Sequence, residues 1–269
     1  MAISTLDGVI AGRKPPNIYT KAATPTLVAG RPHSLFYLAG APGAAVAPTP
    51  GLAGAALTTY AGQIPVPAAV GGQKVYLDRL SCVANAAAGV LMLCDRLWHN
   101  SGFVVTTTTA QTINSVAFPA RDINASTNGA GVYIGLEVTT ATGAGASVLS
   151  MSYTNEAGTA GRTAASIDSY VATSAVGAFY RMGLQAGDNG VRSIQTFTSS
   201  VSMTSGAVSL VAYRPIALIE CPAGNIANAT DAITGSLPEI FDNCVPFLVW
   251  TPQATNATSI SGLVTFAQG

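Results

Sequence analysis

The sequence of 269 residues predicts an all-β fold: an antiparallel two-sheet, jelly-roll-like sandwich with an extended N-terminal arm rich in Pro, Gly and Ala. From residue 73 onward, about ten short β-type runs recur at roughly 10-residue spacing, which is typical of sandwiches and barrels. No helical segments alternate with these runs, which argues against a parallel sheet with crossover helices. Another antiparallel sandwich is the second choice.

The first 72 residues differ in composition from the rest. They hold nine of the chain's 15 prolines. Proline removes a donor from helix and sheet ladders, so we expect neither a long helix nor a central strand here. We predict an extended arm over 1–72, interrupted by the apolar islands Ser34–Leu38 and Leu57–Tyr60, and a β-sandwich body over 73–269.

Three aromatic residues of the arm, Phe36, Tyr37 and Tyr60, are the candidate interaction residues. Disordered linkers are poor in aromatics, so these residues argue against a linker. Aromatic side chains dominate the energy of many interfaces, which favours a role as anchors on a partner. Packing onto the protein's own body is an equal alternative.

The body is divided by turn residues. Gly131–Val138 alternates apolar and polar positions, Gly187–Gly190 is a turn signal, and Pro215 indicates an edge strand or a bulge. Only Ala227–Asn243 has some helical character, and Ser152–Thr163 has the pattern strand, glycine loop, strand. The main predicted strands are Val75–Val83, Val90–Trp98, Phe103–Thr109, Gly131–Val138, Val148–Thr154, Ala178–Leu184, Val191–Thr198, Val208–Glu220, Phe247–Thr251 and Ser259–Phe266.

Charge is scarce along the whole chain. Only 9% of residues are charged, the formal net charge is +0 and the mean hydropathy is +0.40, whereas ordinary domains have about 25% charged residues. The surface is therefore covered by partners, coated with neutral polar residues, or both. A nucleic-acid role is not expected because Lys and Arg are not clustered. Prolines interrupt the long Ala-rich stretch, so no membrane span is expected.

Catalytic groups are also scarce. Histidine occurs only at His33 and His99. The cluster Asp95–His99 has the residue types of a site, but a strand end with Trp98 packed inward and Asp95 paired with Arg96 or a neighbour explains it better. Glu137 and Glu220 lie in predicted strands and are the two carboxylates to consider for paired acid–base work, but a paired or edge-exposed carboxylate explains each of them better. We predict no catalytic residue, no metal site, no cofactor and no enzymatic activity.

The four cysteines, Cys82, Cys94, Cys221 and Cys244, form no C-x-x-C pair. We expect buried, reduced thiols. A second interpretation places Cys82 and Cys94 opposite each other across a hairpin. We expect no secretory signal in the first 12 residues, because they lack a basic start and an apolar stretch.

Three stretches resemble virion structural proteins of tailed bacteriophages, a decoration or cement-like family. They are Asp95–Gly102 with the following Val104–Gln111, then Tyr153–Arg162, and Gly187–Ser193. The resemblance covers roughly residues 75–251 and brings no catalytic residue with it. It implies a location in the virion, after synthesis in the bacterial host cytoplasm.

The leading functional hypothesis is a capsid decoration (cement) protein that binds the head shell. Its expected partners are copies of itself, as a trimer or dimer, and the major capsid protein, with no nucleic acid and no membrane. A receptor- or glycan-binding head-fibre or tail module is the alternative, with a site near Trp98 or Asn189. A major capsid protein is third because no segment forms a long spine helix, and a hydrolase is last.

Overall fold

The computed structural model describes residues 3–269 and confirms the predicted all-β class. In these residues a single seven-residue helix accompanies 17 strands, and all strand pairs are antiparallel. The strands form two sheets that pack in a sandwich-like arrangement. The accessible surface is 10602 Å², close to the roughly 11,000 Å² expected for a compact chain of this mass.

The elements follow one another without any βαβ unit. The N-terminal elements are α1 (Leu6–Gly12), β1 (Asn17–Lys21), β2 (His33–Ser34), β3 (Gly40–Ala41) and β4 (Ala55–Ala56). The central ones are β5 (Val75–Ala84), β6 (Gly89–His99), β7 (Gln111–Thr112), β8 (Tyr133–Thr140), β9 (Leu149–Asn155), β10 (Arg162–Ser166), β11 (Phe179–Gly183) and β12 (Val191–Ser199). The last are β13 (Ala207–Cys221), β14 (Asn228–Asp231), β15 (Glu239–Ile240), β16 (Pro246–Pro252) and β17 (Ile260–Gln268).

The two sheets differ in size. The smaller has the order β14-β5-β17-β1-β3, with β15 also paired to β5. The larger has the order β2-β16-β6-β13-β8-β11-β10-β9-β12-β7, with β4 also paired to β6. The longest strands, β6 and β13, pair with each other in the larger sheet, and a buried cluster lies between their far ends and the smaller sheet.

The short strand β2 closes part of the larger sheet into a ring. On one side the N–H of Leu35, just after β2, donates to the carbonyl of Leu248 in β16 at 2.8 Å. On the other side Ser34 donates to Gly177 at 2.7 Å and Phe179 donates to Pro32 at 3.1 Å. Strands β2, β16, β6, β13, β8 and β11 therefore form a closed hydrogen-bonded circuit. Its inward side chains form a separate buried cluster: Phe36, Ala45, Cys94, Phe179, Val211, Tyr213, Phe247 and Val249.

Residues 3–72 lie mostly outside regular structure and pack along the sandwich. Strand β1 sits between β17 and β3 in the smaller sheet. Tyr19 and Leu35 are at most 1% exposed and belong to the cluster between the two sheets. In the isolated chain this segment thus contributes to the core of the sandwich.

Pro215 illustrates a prediction that the structure confirms. It lies at a register shift between β13 and β6, which is a bulge. The pairing of β13 with β8 ends at Tyr213, so the missing N–H of Pro215 removes no bond from that ladder.

Two predicted elements are wrong. Phe103–Thr109 is rich in β-branched residues but is not a strand. The Val104 N–H donates to the side-chain oxygen of Gln111 at 2.9 Å, and the Gln111 side-chain amide donates to the Val104 carbonyl at 3.2 Å, so neither backbone group is free to pair with a strand. Ala227–Asn243 is not helical and contains β14 and β15. Asp231 ends β14 by accepting the N–H groups of the following turn, and Pro238 adds a helix breaker.

Candidate interaction surfaces and buried polar groups

The predicted anchors Phe36, Tyr37 and Tyr60 contact the chain's own body. Phe36 is 1% exposed, and its ring lies 5.9 Å from that of Tyr60 and 6.0 Å from that of Phe247. Tyr37 donates its hydroxyl to Glu137 at 2.7 Å. Tyr60 donates to the carbonyl of Val46 at 2.8 Å. In the isolated chain the three side chains therefore take the second alternative, packing on the body.

These aromatics surround a buried ion pair inside the ring. Arg96 on β6 and Glu137 on β8 are both fully buried, and their side chains bond to each other. The Arg96 guanidinium carbon lies 4.5 Å from the centroid of Phe36 and 5.0 Å from that of Phe247. An ion pair in such a site needs its remaining donors satisfied, and cation–π contacts and the Tyr37 hydroxyl contribute to this.

Asp95 pairs with a different arginine, on the opposite face of β6. Its carboxylate accepts from Arg121 at 2.8 and 3.2 Å and from the backbone N–H of Val245 at 2.9 Å. Trp98 is fully buried and donates to the carbonyl of Ala53 at 3.1 Å. Trp98 packs inward as the strand-end interpretation expects, but the partner of Asp95 is Arg121, 26 positions away, and not the adjacent Arg96.

His99 is inaccessible to solvent. Its Nδ1 lies 3.1 Å from a guanidinium nitrogen of Arg96. Burial, followed by the charge of Arg96, holds the pKa of His99 well below its usual range. A neutral, fully buried imidazole beside a permanent cation has no route to a substrate proton, since a general base must reach the group that it deprotonates.

The two carboxylates considered for acid–base work lie far apart, so that pairing is wrong. Glu137 stands opposite Ser209 of β13, and Glu220 lies eleven positions further along the same strand. At about 3.3 Å per residue the two positions are separated by roughly 35 Å. Glu220 is exposed, whereas Glu137 is committed to Arg96.

The turn at Gly187–Gly190 is confirmed and has a structural carboxylate. Asp188 accepts from Tyr153 at 2.5 Å, Asn155 at 2.8 Å and Arg162 at 2.8 Å. Arg162 is the main cause that lowers the pKa of Asp188 to about 2. These bonds tie the turn to β9 and β10.

The cysteines are free and buried, as expected. The hairpin alternative for Cys82 and Cys94 is wrong, because β5 and β6 belong to different sheets and the two thiols lie in different clusters. In residues 3–269, no three His, Cys, Asp or Glu side chains gather as a metal site would require. No helix in that range has the length and hydropathy to cross a membrane.

The structure shows apolar surfaces that sequence reasoning missed. Seventeen large apolar side chains of residues 3–269 are exposed, and two groups of them line concave surfaces. The helix patch is formed by α1 and the β14–β15 turn, around a cavity of about 260 Å³; its exposed members are Leu6 and Ile233, while Ile3 and Leu237 are half-buried and Val9 is buried. The groove patch, around a cavity of about 480 Å³, presents Val148, Ile167 and Val201. The residues of each patch come from segments that are distant in sequence. No periodic pattern in the sequence could therefore have predicted them.

Half of the charged residues are held in ion pairs. Across residues 3–269 six ion pairs occupy twelve of the 24 charged side chains. In five of these pairs the carboxylate side chain is at most 8% exposed. The outer surface is therefore even poorer in free charge than the composition indicates.

Comparison with known proteins identifies no family. No protein-family model matches the chain, and no curated protein matches it. Among solved structures, the infectious bursal disease virus VP2 subviral particle aligns at 9% identity over 98% of this chain and 82% of the other, with a TM-score of 0.20. A TM-score this low does not establish a common fold.

Proposed function

We propose that the protein is a structural component of a tailed-phage virion, a capsid decoration (cement) protein that binds and stabilises the head shell. Its partners are copies of itself, as a trimer or dimer, and the major capsid protein. The observation that carries the proposal is the combination of sparse surface charge with concave, exposed apolar patches.

The physical reason lies in the cost of desolvation. Burying an ionised group at an interface is costly unless it finds a partner, whereas burying an aliphatic side chain is favourable. Leu6 and Ile233 of the helix patch are 54% and 75% exposed, and Val148 and Ile167 of the groove patch are 63% and 62% exposed. Contiguous exposed apolar surface of this kind is typical of interaction sites.

We also propose that the protein is not an enzyme. The side chains with the chemistry of general acids and bases in the Asp95–His99 cluster are buried: Asp95 is bonded to Arg121, and His99 lies beside Arg96. Such groups join segments of the chain to one another and are not open to a substrate.

Electron cryo-microscopy of the native particle tests the proposal. We expect hundreds of copies arranged with icosahedral symmetry on the outside of the head, with the helix patch or the groove patch at a contact. A few copies at a single vertex or on the tail would contradict it.

The alternative is a receptor- or glycan-binding head-fibre or tail module. Full burial of Trp98 removes one of its two predicted sites, while Asn189 remains exposed in its turn. Saturable binding of the isolated protein to a glycan array, lost on Asn189→Ala, would favour this alternative over the cement role.

A further inference from the structure

A cleft with an unpaired arginine lies at the seam where β2 closes the ring. It separates residues 26–33 from residues 171–180 and has a volume of about 240 Å³. Arg31, His33 and Tyr180 are among its lining residues, and no Asp or Glu is. This cleft is independent of the assembly surfaces proposed above.

Arg31 gives the cleft its charge. Its guanidinium lies over the Tyr180 ring, with the carbon 5.8 Å from the ring centroid. Within residues 3–269 no carboxylate forms an ion pair with it. A half-buried guanidinium over an aromatic face, with fork geometry and no partner, is a binding group for an oxyanion.

His33 adds an unsatisfied polar group. The side chain is 1% exposed, and its Nε2 has no hydrogen-bond partner in residues 3–269. Gly177 makes room for the ring, because a Cβ at that position would lie 2.7 Å from Nε2. Burial lowers the pKa of His33 to about 4, so the imidazole is neutral near pH 7.

The opposite wall is held rigidly from behind. Thr173 has a φ of +54°, a conformation that few threonines adopt. Its N–H bonds to Gly143 at 2.7 Å, and the N–H of Ser174 bonds to Thr142 at 3.1 Å. A preformed wall lowers the ordering cost of binding a ligand.

We propose that this seam cleft binds a small monocarboxylate that carries hydroxyl groups, as a sugar acid does. Arg31 is the one Arg, Lys, Asp or Glu on the lining, and a single guanidinium matches one negative charge better than the two charges of phosphate. The volume is below the usual 300–1,000 Å³ of drug-sized sites and suits one sugar ring. Thr26 and Thr173 place hydroxyl-bearing residues at the wall, whereas the Ser174 hydroxyl is bonded to Val171 and Tyr180.

Titration of the ¹⁵N-labelled full chain with sodium glucuronate tests the assignment, with glucose and inorganic phosphate as parallel ligands. We expect saturable shifts at millimolar glucuronate that include the Arg31 Nε–H and the backbone of residues 171–175. Glucose should cause none, and phosphate should bind at least threefold more weakly. Arg31→Gln should weaken glucuronate binding at least tenfold. The glucuronate affinity of Arg31→Lys should lie between those of the native protein and Arg31→Gln.

Arg192→Gln is the matched control, because Arg192 is exposed and has no ion pair in the described chain. The Arg192→Gln variant should bind glucuronate with the affinity of the native protein. No saturable shift in the native protein would overturn the proposal. It would also be overturned if Arg31→Gln bound glucuronate as tightly as the native protein does, or if the native protein bound phosphate more tightly than glucuronate. None of these results bears on the virion role.

Discussion

The interior of the ring and the outer patches show opposite uses of polarity. Inside, Arg96 and Glu137 form a fully buried ion pair among aromatic rings. Outside, Ile167 and Ile233 are 62% and 75% exposed. Ionised groups specify how the strands of one chain meet, because they tolerate few arrangements. Aliphatic groups are left on the surface, where they suit contact with other chains.

The largest expected effect comes from breaking the ion pair inside the ring. Arg96→Met leaves Glu137 as a buried, uncompensated carboxylate, which should lower the free energy of unfolding by about 3–5 kcal/mol. Urea denaturation followed by tryptophan fluorescence measures this.

The double variant Arg96→Met/Glu137→Gln should regain part of that loss because it removes the unpaired charge. Arg192→Met, at an exposed position, should stay within about 0.5 kcal/mol of the native protein. Native stability in Arg96→Met would mean that the pair does not specify the ring.

Acid should weaken the interior through its buried histidines. The pKa of His33 is lowered to about 4, so the unfolded chain takes up a proton below pH 6.5 while the folded chain does not. Stability is therefore complete above pH 6.5 and falls as the pH drops toward 4, by about 2 kcal/mol at pH 5 for His33 alone. His99 acts in the same direction.

Urea denaturation at pH 7, 6 and 5 measures this loss. The window lies above the range in which the depressed pKa of Asp188, about 2, matters. His33→Gln should flatten the profile between pH 7 and 5. A native profile that is already flat would show that the histidines are not buried as described.

A smaller effect is expected where the N-terminal segment meets the ring. Tyr37→Phe removes the hydroxyl that donates to Glu137 at 2.7 Å. A bond to a charged group contributes about 1.5–3 kcal/mol, and the half-buried position places the expected loss near the lower value. Tyr60→Phe, which removes a bond to an exposed carbonyl, serves as the control and should cost less. Equal losses of unfolding free energy in the two variants would show that the Tyr37 hydroxyl does not support the buried ion pair.

Sequence patterns predicted the strands better than the contacts between them. The alternation over Gly131–Val138 corresponds to β8, and the bulge at Pro215 is present. The partner of Asp95 lies 26 positions away and that of Arg96 lies 41 positions away, and no local pattern encodes such pairings. The ring closure depends on β2, which has two residues and no periodicity.

The smallest effect on folding is expected on the outer surface. Ile167→Lys in the groove patch should change the free energy of unfolding by less than about 0.5 kcal/mol, since the side chain is already exposed. It should nevertheless reduce binding to particles or to other copies at least tenfold, because a lysine must be desolvated there. Val104→Lys, at an exposed position outside both patches, should leave binding unchanged. Equal losses in the two variants would show that the groove patch is not a specific contact.

Sedimentation velocity of the purified chain between about 1 and 100 µM tests the central claim most directly. If the neutral, apolar surface is made for contact, the native protein should form a dimer or trimer of its 27.1 kDa chain, and lysine at Ile167 or Ile233 should shift it toward monomer. A single monomeric species at every concentration, identical in native protein and variants, would contradict the account.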